Sequence, residues 1–161
     1  MIARLAILLA LLLSAPLYAQ EYVLSLDADE RLLPACSSNS WTYSTGAQGI
    51  VYICRNGTVS LNSGDSVIAS SKAVLKADGG FSFSGSNTIG SETHGISLQS
   101  SYGAFQWQGA NNRLFGGFTA ENTTVSLSGV EMNGGVDTGG NVVITNSALG
   151  GGVRSVNSTV T

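Results

Sequence analysis

Charge is what this chain has least of. Asp, Glu, Lys and Arg make up 11% of it, and there is one histidine, His94. That is low for a soluble helical protein, so solubility must rest on Ser, Thr, Asn and Gly. The seven basic residues form no cluster and are outnumbered by ten acidic ones. A nucleic-acid surface needs clustered Lys and Arg, so nucleic acid is excluded as a partner. The acids are scattered too, which excludes a polyacidic tail. Also missing is any segment long and periodic enough for a crossover helix, and without one an α/β fold is out.

Cysteine occurs twice, at Cys36 and Cys54. Two metal-binding thiolates would need more partners than the lone His94 supplies. A disulfide is therefore predicted, and closing a loop of this size stabilises a fold by about 3 kcal/mol in the chain-entropy model.

The N-terminus reads as a secretory signal peptide over residues 1–19. Arg4 supplies a positive charge, residues 5–13 are Leu, Ile and Ala throughout, and Ala19 precedes Gln20 as a small-residue cleavage position. The apolar run is too short to span a bilayer comfortably. A secreted or bacterial cell-surface location follows as the expectation.

Residues 20–56 read as a capping segment. Asp27 with Glu30 three places on fits a capping box, and Pro34 would stop a helix, so residues 20–33 are the one place for a short helix. "SWTYS" and "IVYIC" then flank "TGAQG" as a hairpin. From residue 57 onward the texture is uniform: "TVSLNS", "AVLKAD", "FSFSGS", "GISLQS", "AFQWQG", "TVSLSG" and "VVITNS" are short β-type runs, most alternating apolar with polar. Alternation puts Val59 and Leu61, Phe81 and Phe83, Ile96 and Leu98, Phe105 and Trp107, and Val125 and Leu127 on one face.

The spacing chooses among all-β folds. A shift of 17 residues lays Val125 on Val142, Leu127 on Ile144, Met132 on Leu149 and Val136 on Val153. Leu114 to Met132 and Phe118 to Val136 are 18 apart, and Trp107 to Leu127 is 20. A sandwich needs no fixed coil length, whereas a solenoid does. The prediction is an all-β, right-handed parallel β-helix with a short N-terminal helix/hairpin cap. Residues 57–161 would hold about six coils and stop within an incomplete one. Insertions belong at corners such as "GANN" (residues 109–112), and Gly134, Gly135, Gly151 and Gly152 fit corners needing positive φ or close backbone approach. An uncovered last coil would present strand edges and promote self-association.

Signals of chemistry are few. In the 17-residue register Asp137 falls on Arg154, a surface ion pair rather than a catalytic one. His94 lies near Ser91 and Glu92 but reads as a surface residue. "GGVDTGG" resembles a calcium-binding nonapeptide once only, and its equivalent carries Arg154 in place of Asp. "DADE" at residues 27–30 lacks EF-hand spacing. Sequons stand at Asn56, Asn122 and Asn157. No sustained Thr-x-Thr array of the ice-binding kind is present. No metal, cofactor or catalytic residue is expected. Phe105 and Trp107 belong to the core, which leaves Tyr102 and Gln106 as the ligand-facing candidates.

"LPACSSNSWTYSTGAQGIVYICRNGTVSLNSGDSV", with its Cys, aromatic hairpin, "YxC" and "NGTVxLxSGDS", resembles the N-terminal region of MSHA-pilus biogenesis proteins of the MshQ type. "ADGGFSFSGSNTIGS" and the Asn-Thr-Thr-Val and Asn-Ser-Thr-Val coils are similar as well. The resemblance covers residues 34–161, and the family's chains are much longer. It implies an exported, adhesin-like module associated with type IV surface pili, and no catalytic residues. The expected function is a non-enzymatic β-helical scaffold or adhesin with pilus or cell-surface components as partners. The alternatives are a carbohydrate-binding or carbohydrate-active β-helix, with a glycan as ligand, and a self-associating structural protein.

Overall fold

The computed structural model describes residues 18–156 and Val160. Residues 1–17 of the predicted signal peptide (residues 1–19) lie outside the described residues, as do residues 157–159, with the sequon Asn157, and residue 161. The described residues form nineteen β-strands and no helix.

Three strands precede the spiral: β1 (Glu21–Leu24), β2 (Ala35–Cys36) and β3 (Trp41–Gly46). The base turn follows as β4 (Gly49–Cys54), β5 (Val59–Leu61) and β6 (Ser66–Ala69). Four more turns stack on it: β7 (Ala73–Ala77), β8 (Gly80–Ser84) and β9 (Thr88–Ile89); β10 (Ile96–Ser100), β11 (Ala104–Gln108) and β12 (Asn112–Leu114); β13 (Phe118–Ala120), β14 (Thr124–Ser128) and β15 (Val130–Met132); and β16 (Val136–Thr138), β17 (Val142–Thr145) and β18 (Ala148–Leu149). With β19 (Val153–Ser155), and with Val160 bridged in parallel to Val142, a further turn begins. Strands at the same place in each turn pair in parallel and build three sheets. Sheet 1 carries β4, β7, β10, β13, β16 and β19; sheet 2 carries β5, β8, β11, β14 and β17; sheet 3 carries β6, β9, β12, β15 and β18. This is a parallel β-solenoid.

The predicted register holds. Val125 pairs with Val142 and Leu127 with Ile144, Met132 with Leu149, and Val136 with Val153. The looser upstream intervals hold as well, with Leu114 on Met132, Phe118 on Val136 and Trp107 on Leu127. The ladder already includes β4, which lies parallel to β7 from Ile50↔Ala73 to Cys54↔Ala77, upstream of the residue-57 boundary that texture suggests. The base turn thus starts earlier than read, and five turns with the start of a further one stand where about six coils were expected within residues 57–161.

The core is the inside of the spiral. Two inward columns on sheet 2, Val59–Phe81–Phe105–Val125–Val142 and Leu61–Phe83–Trp107–Leu127–Ile144, run across all five turns. All but Ile144 are buried, and Ile144 packs against the others. Burying an aliphatic or Phe side chain of this size is worth about 1.5–3 kcal/mol. Where sheet 3 gives way to sheet 1, successive turns meet at glycines. A Cβ on Gly134 would fall on the Gly116 carbonyl oxygen, and one on Gly135 on the Gly152 carbonyl oxygen. Close approach is thus the reason for Gly134, Gly135 and Gly151, whereas a Cβ on Gly152 would meet nothing within 4 Å and none of the four has positive φ.

The N-terminal segment covers the base turn with one strand per sheet. β3 pairs antiparallel with β4, β2 antiparallel with β5, and β1 parallel with β6. The helix expected within residues 20–33 is absent. Glu21–Leu24 is a strand, and Leu32 returns as an antiparallel bridge to Val23. Two competing bonds decide this. The Asp27 carboxylate accepts the Asp29 N–H at 3.0 Å in a local turn. Arg31 donates to the Ser25 and Leu26 carbonyls and lays its guanidinium over Tyr43, 4.0 Å from the ring centre. Edge pairing to β6 then satisfies backbone groups that a two-turn helix would have left open. The predicted disulfide is present between Cys36 on β2 and Cys54 on β4, with Cα atoms 5.8 Å apart, and joins two of the three covering strands' sheets.

Candidate functional site

The three outer faces differ in charge. Sheet 3 carries Arg113 and Glu131, neighbours on adjacent turns and 3.0 Å apart. Sheet 1 carries Lys76 on β7 and the predicted pair Asp137–Arg154 at 3.4 Å. Both ion pairs are exposed, so each is worth a fraction of a kcal/mol. No strand of sheet 2 contains a charged residue.

Sheet 2 owes its outer face to alternation. With Val59, Phe81, Phe105 and Val125 turned inward, the next residue of each strand must point out. Ser60, Ser82, Gln106, Ser126 and Val143 therefore form one outward column in register over five turns. Ser84 pairs with Gln108, and Ser128 with Thr145, in a second. Rungs repeat about every 4.8 Å, so the face is a regular array of hydroxyls and amides. It can donate and accept hydrogen bonds to neutral polar ligands. It holds no group able to move a proton near neutral pH.

Gln106 is exposed at the middle of this column. Tyr102 stands 52% exposed at the corner leading into β11. Its N–H donates to the Asp78 carbonyl, and its own carbonyl accepts the Ser100 hydroxyl at 2.6 Å. Both lie on one turn, and Phe105 and Trp107, on either side of Gln106, are fully buried. The Asp78 carboxylate below accepts the Asn56 N–H at 3.1 Å and the Ser101 hydroxyl at 3.0 Å. The Asn56 hydrogen bond, outweighing a small burial penalty, holds it below the usual carboxylate value.

An open groove of about 800 Å³ runs along the corner between sheets 2 and 3, over Asn111, Arg113, Glu131 and Asn146. Its one acid is engaged by its one base. A smaller groove of about 340 Å³ on sheet 1 is bordered by Lys76, Gln99, Ser101, Thr119, Glu121 and Asp137. His94 is exposed in the corner before β10, its Nδ1 3.5 Å from Thr93 Oγ1, with Ser91 accepting its backbone N–H. That geometry closes a local turn. Among the described residues no three of His, Cys, Asp and Glu gather closely enough to hold a metal ion.

The first groove and its Arg113–Glu131 pair were not singled out in the sequence, although the 18-residue step from Leu114 to Met132 lays Arg113 on Glu131. No protein-family model matches the chain, and no curated protein or solved structure matches it.

Proposed function

We propose that this chain is a non-enzymatic, exported β-solenoid module of the bacterial cell surface, associated with surface pili and serving as a scaffold or adhesion face. The observation that carries the reading is the outer face of sheet 2: exposed, regular and free of charge over five turns. A broad array of this kind suits contact with an extended surface better than it suits capture of a small substrate. The resemblance of residues 34–161 to MshQ-type proteins supplies the association with pili, and the signal-like residues 1–19 supply export. The disulfide accords with an oxidising compartment.

The test is made on cells producing the chain from its own gene. Mild proteolysis of intact cells should remove it, and it should sediment with sheared pili. A product that is retained inside the cell, protected from protease, contradicts the proposal. Neutral glycan binding is the second reading, favoured by the groove beside sheet 2 with its Asn111 and Asn146 amides. Retention of the purified chain on a glycan-coated surface, lost on Asn111→Gly with Asn146→Gly, would select it.

A further inference from the structure

Asp65 is the only charged side chain that is buried among the described residues, 2% exposed at the corner before β6. Its hydrogen bonds come from neutral groups. The Asn62 N–H donates to Oδ2 at 2.8 Å and the Gln20 N–H donates to Oδ1 at 2.9 Å. Neither of the two ion pairs found among the described residues includes it. Buried carboxylates are costly unless matched by a cation. The missing cation has an obvious source. The nitrogen at Oδ1 belongs to Gln20, the first residue after the predicted cleavage position.

We propose that Asp65 is the built-in receptor for the α-ammonium group released when the Ala19–Gln20 peptide bond is cut. In that step a peptide hydrolase adds water across the bond. Hydroxide goes to the Ala19 carbonyl carbon and a proton to the Gln20 nitrogen, which takes up a second proton to become ammonium. The nitrogen need not move to reach its partner. The Gln20 carbonyl already accepts the Ser66 N–H at 2.9 Å, and Glu21 pairs with Ser66 in the first rung of β1 on β6. Processing thus replaces a hydrogen bond charged on the acceptor side only with an ion pair charged on both sides. The backbone of the same residue is tied to the interior, because the Asp65 carbonyl accepts the Asn87 side-chain amide at 3.2 Å, and Asn112 Oδ1 accepts the Asn87 N–H at 3.0 Å. Cutting the leader therefore tightens the strand that covers sheet 3.

The proposal rests on the cleavage position but not on the association with pili, and the two fail separately. A ubiquitin-like fusion removed by its own protease yields a chain starting at Gln20, whatever its fate in the cell. A second chain starts at Tyr18, and Asp65→Asn is made in each. In denaturant titrations the Gln20-first form should be more stable, its unfolding constant lower by about tenfold, and Asp65→Asn should erase the difference. Acetylating the Gln20 amine with Asp65 intact should also erase it, which keeps the test decisive if Asp65→Asn does not fold. A free N-terminal Gln loses ammonia when its amine attacks the side-chain carbonyl, forming an uncharged lactam. With the amine held by Asp65 this cyclisation should be several-fold slower than after Asp65→Asn, read by mass spectrometry. Equal stability of the two start points, no effect of acetylation, or an exported product whose first residue is not Gln20 would each overturn the proposal.

Discussion

Phe105 sits at the centre of the aromatic core, and its removal is a quantitative probe of the stacked turns. The ring is fully buried, 4.5 Å from Phe118 on the turn above and 5.7 and 5.9 Å from Phe81 and Phe83 on the turn below. Phe105→Ala removes a side-chain burial worth about 1.5–3 kcal/mol and leaves a cavity that costs about 24 cal/mol per Å³ retained. Contact between edge-to-face rings adds about 0.5–1.5 kcal/mol. Phe81, Phe83, Phe105, Trp107 and Phe118 brace one another, so collapse into the gap should be partial. The total expected is about 4 kcal/mol, inside the usual range for Phe→Ala in a core. Gln106→Ala, one residue on and pointing outward, should change stability by less than about 0.5 kcal/mol. Urea titration of both variants, with the slope compared to the parent, is the assay. Each turn of a solenoid touches only its neighbours, so a lower slope for Phe105→Ala would report uncoupling of the turns above and below. A difference between the two variants under about 1 kcal/mol would refute the inward–outward assignment of β11, and with it the stacking of the columns.

Further outcomes follow from the same structure. Gly134→Val should destabilise severely because its Cβ meets the Gly116 carbonyl oxygen, whereas Gly152→Val, with nothing within 4 Å, should be tolerated, as thermal melts will show. Replacing Cys36 and Cys54 with serine should cost about 3 kcal/mol in a denaturant titration. The Asp78 carboxylate is held below its ordinary value of 3.8, so its contribution is complete above that pH and is lost as pH falls toward the folded value. Asp78→Asn should accordingly flatten the acid limb of the stability–pH profile.

Sheet 2 was legible almost whole, because its strands alternate over three or more residues with large apolar side chains: "FSF", "FQW" and "VSL" leave no doubt which residues point in. Sheet 3 was not. β9 and β18 are two residues long, and two residues carry no period. Its strands entered only through Leu114, Met132 and Leu149, whose spacing repeats. The helix expected at residues 20–33 failed for a different reason. Asp27 and Glu30 do satisfy a local pattern, but β6 offered an unpaired edge, and a tertiary partner for four backbone residues outweighs a helix too short to nucleate. Of the candidate residues, Tyr102 and Gln106 are both exposed where alternation put them. The groove over Arg113 and Glu131 needed the three-dimensional stack, although the 18-residue step already laid the two residues on one another. Asp65 was visible only as one acid among six in the coils, and its burial depends on β1 and the Gln20 nitrogen lying over it.

The claim that the neutral face of sheet 2 makes the surface contact is tested most directly by placing charge on it. Gln106→Asp with Ser126→Asp sets two carboxylates on adjacent rungs of the outward column while leaving the core untouched. Attachment of cells to their natural substratum, measured under flow, should fall to the level of cells lacking the chain, with secretion and melting temperature unchanged. Full attachment by this variant, or equal loss when the two carboxylates are placed instead at Gln99 and Thr119 on sheet 1, would contradict the account.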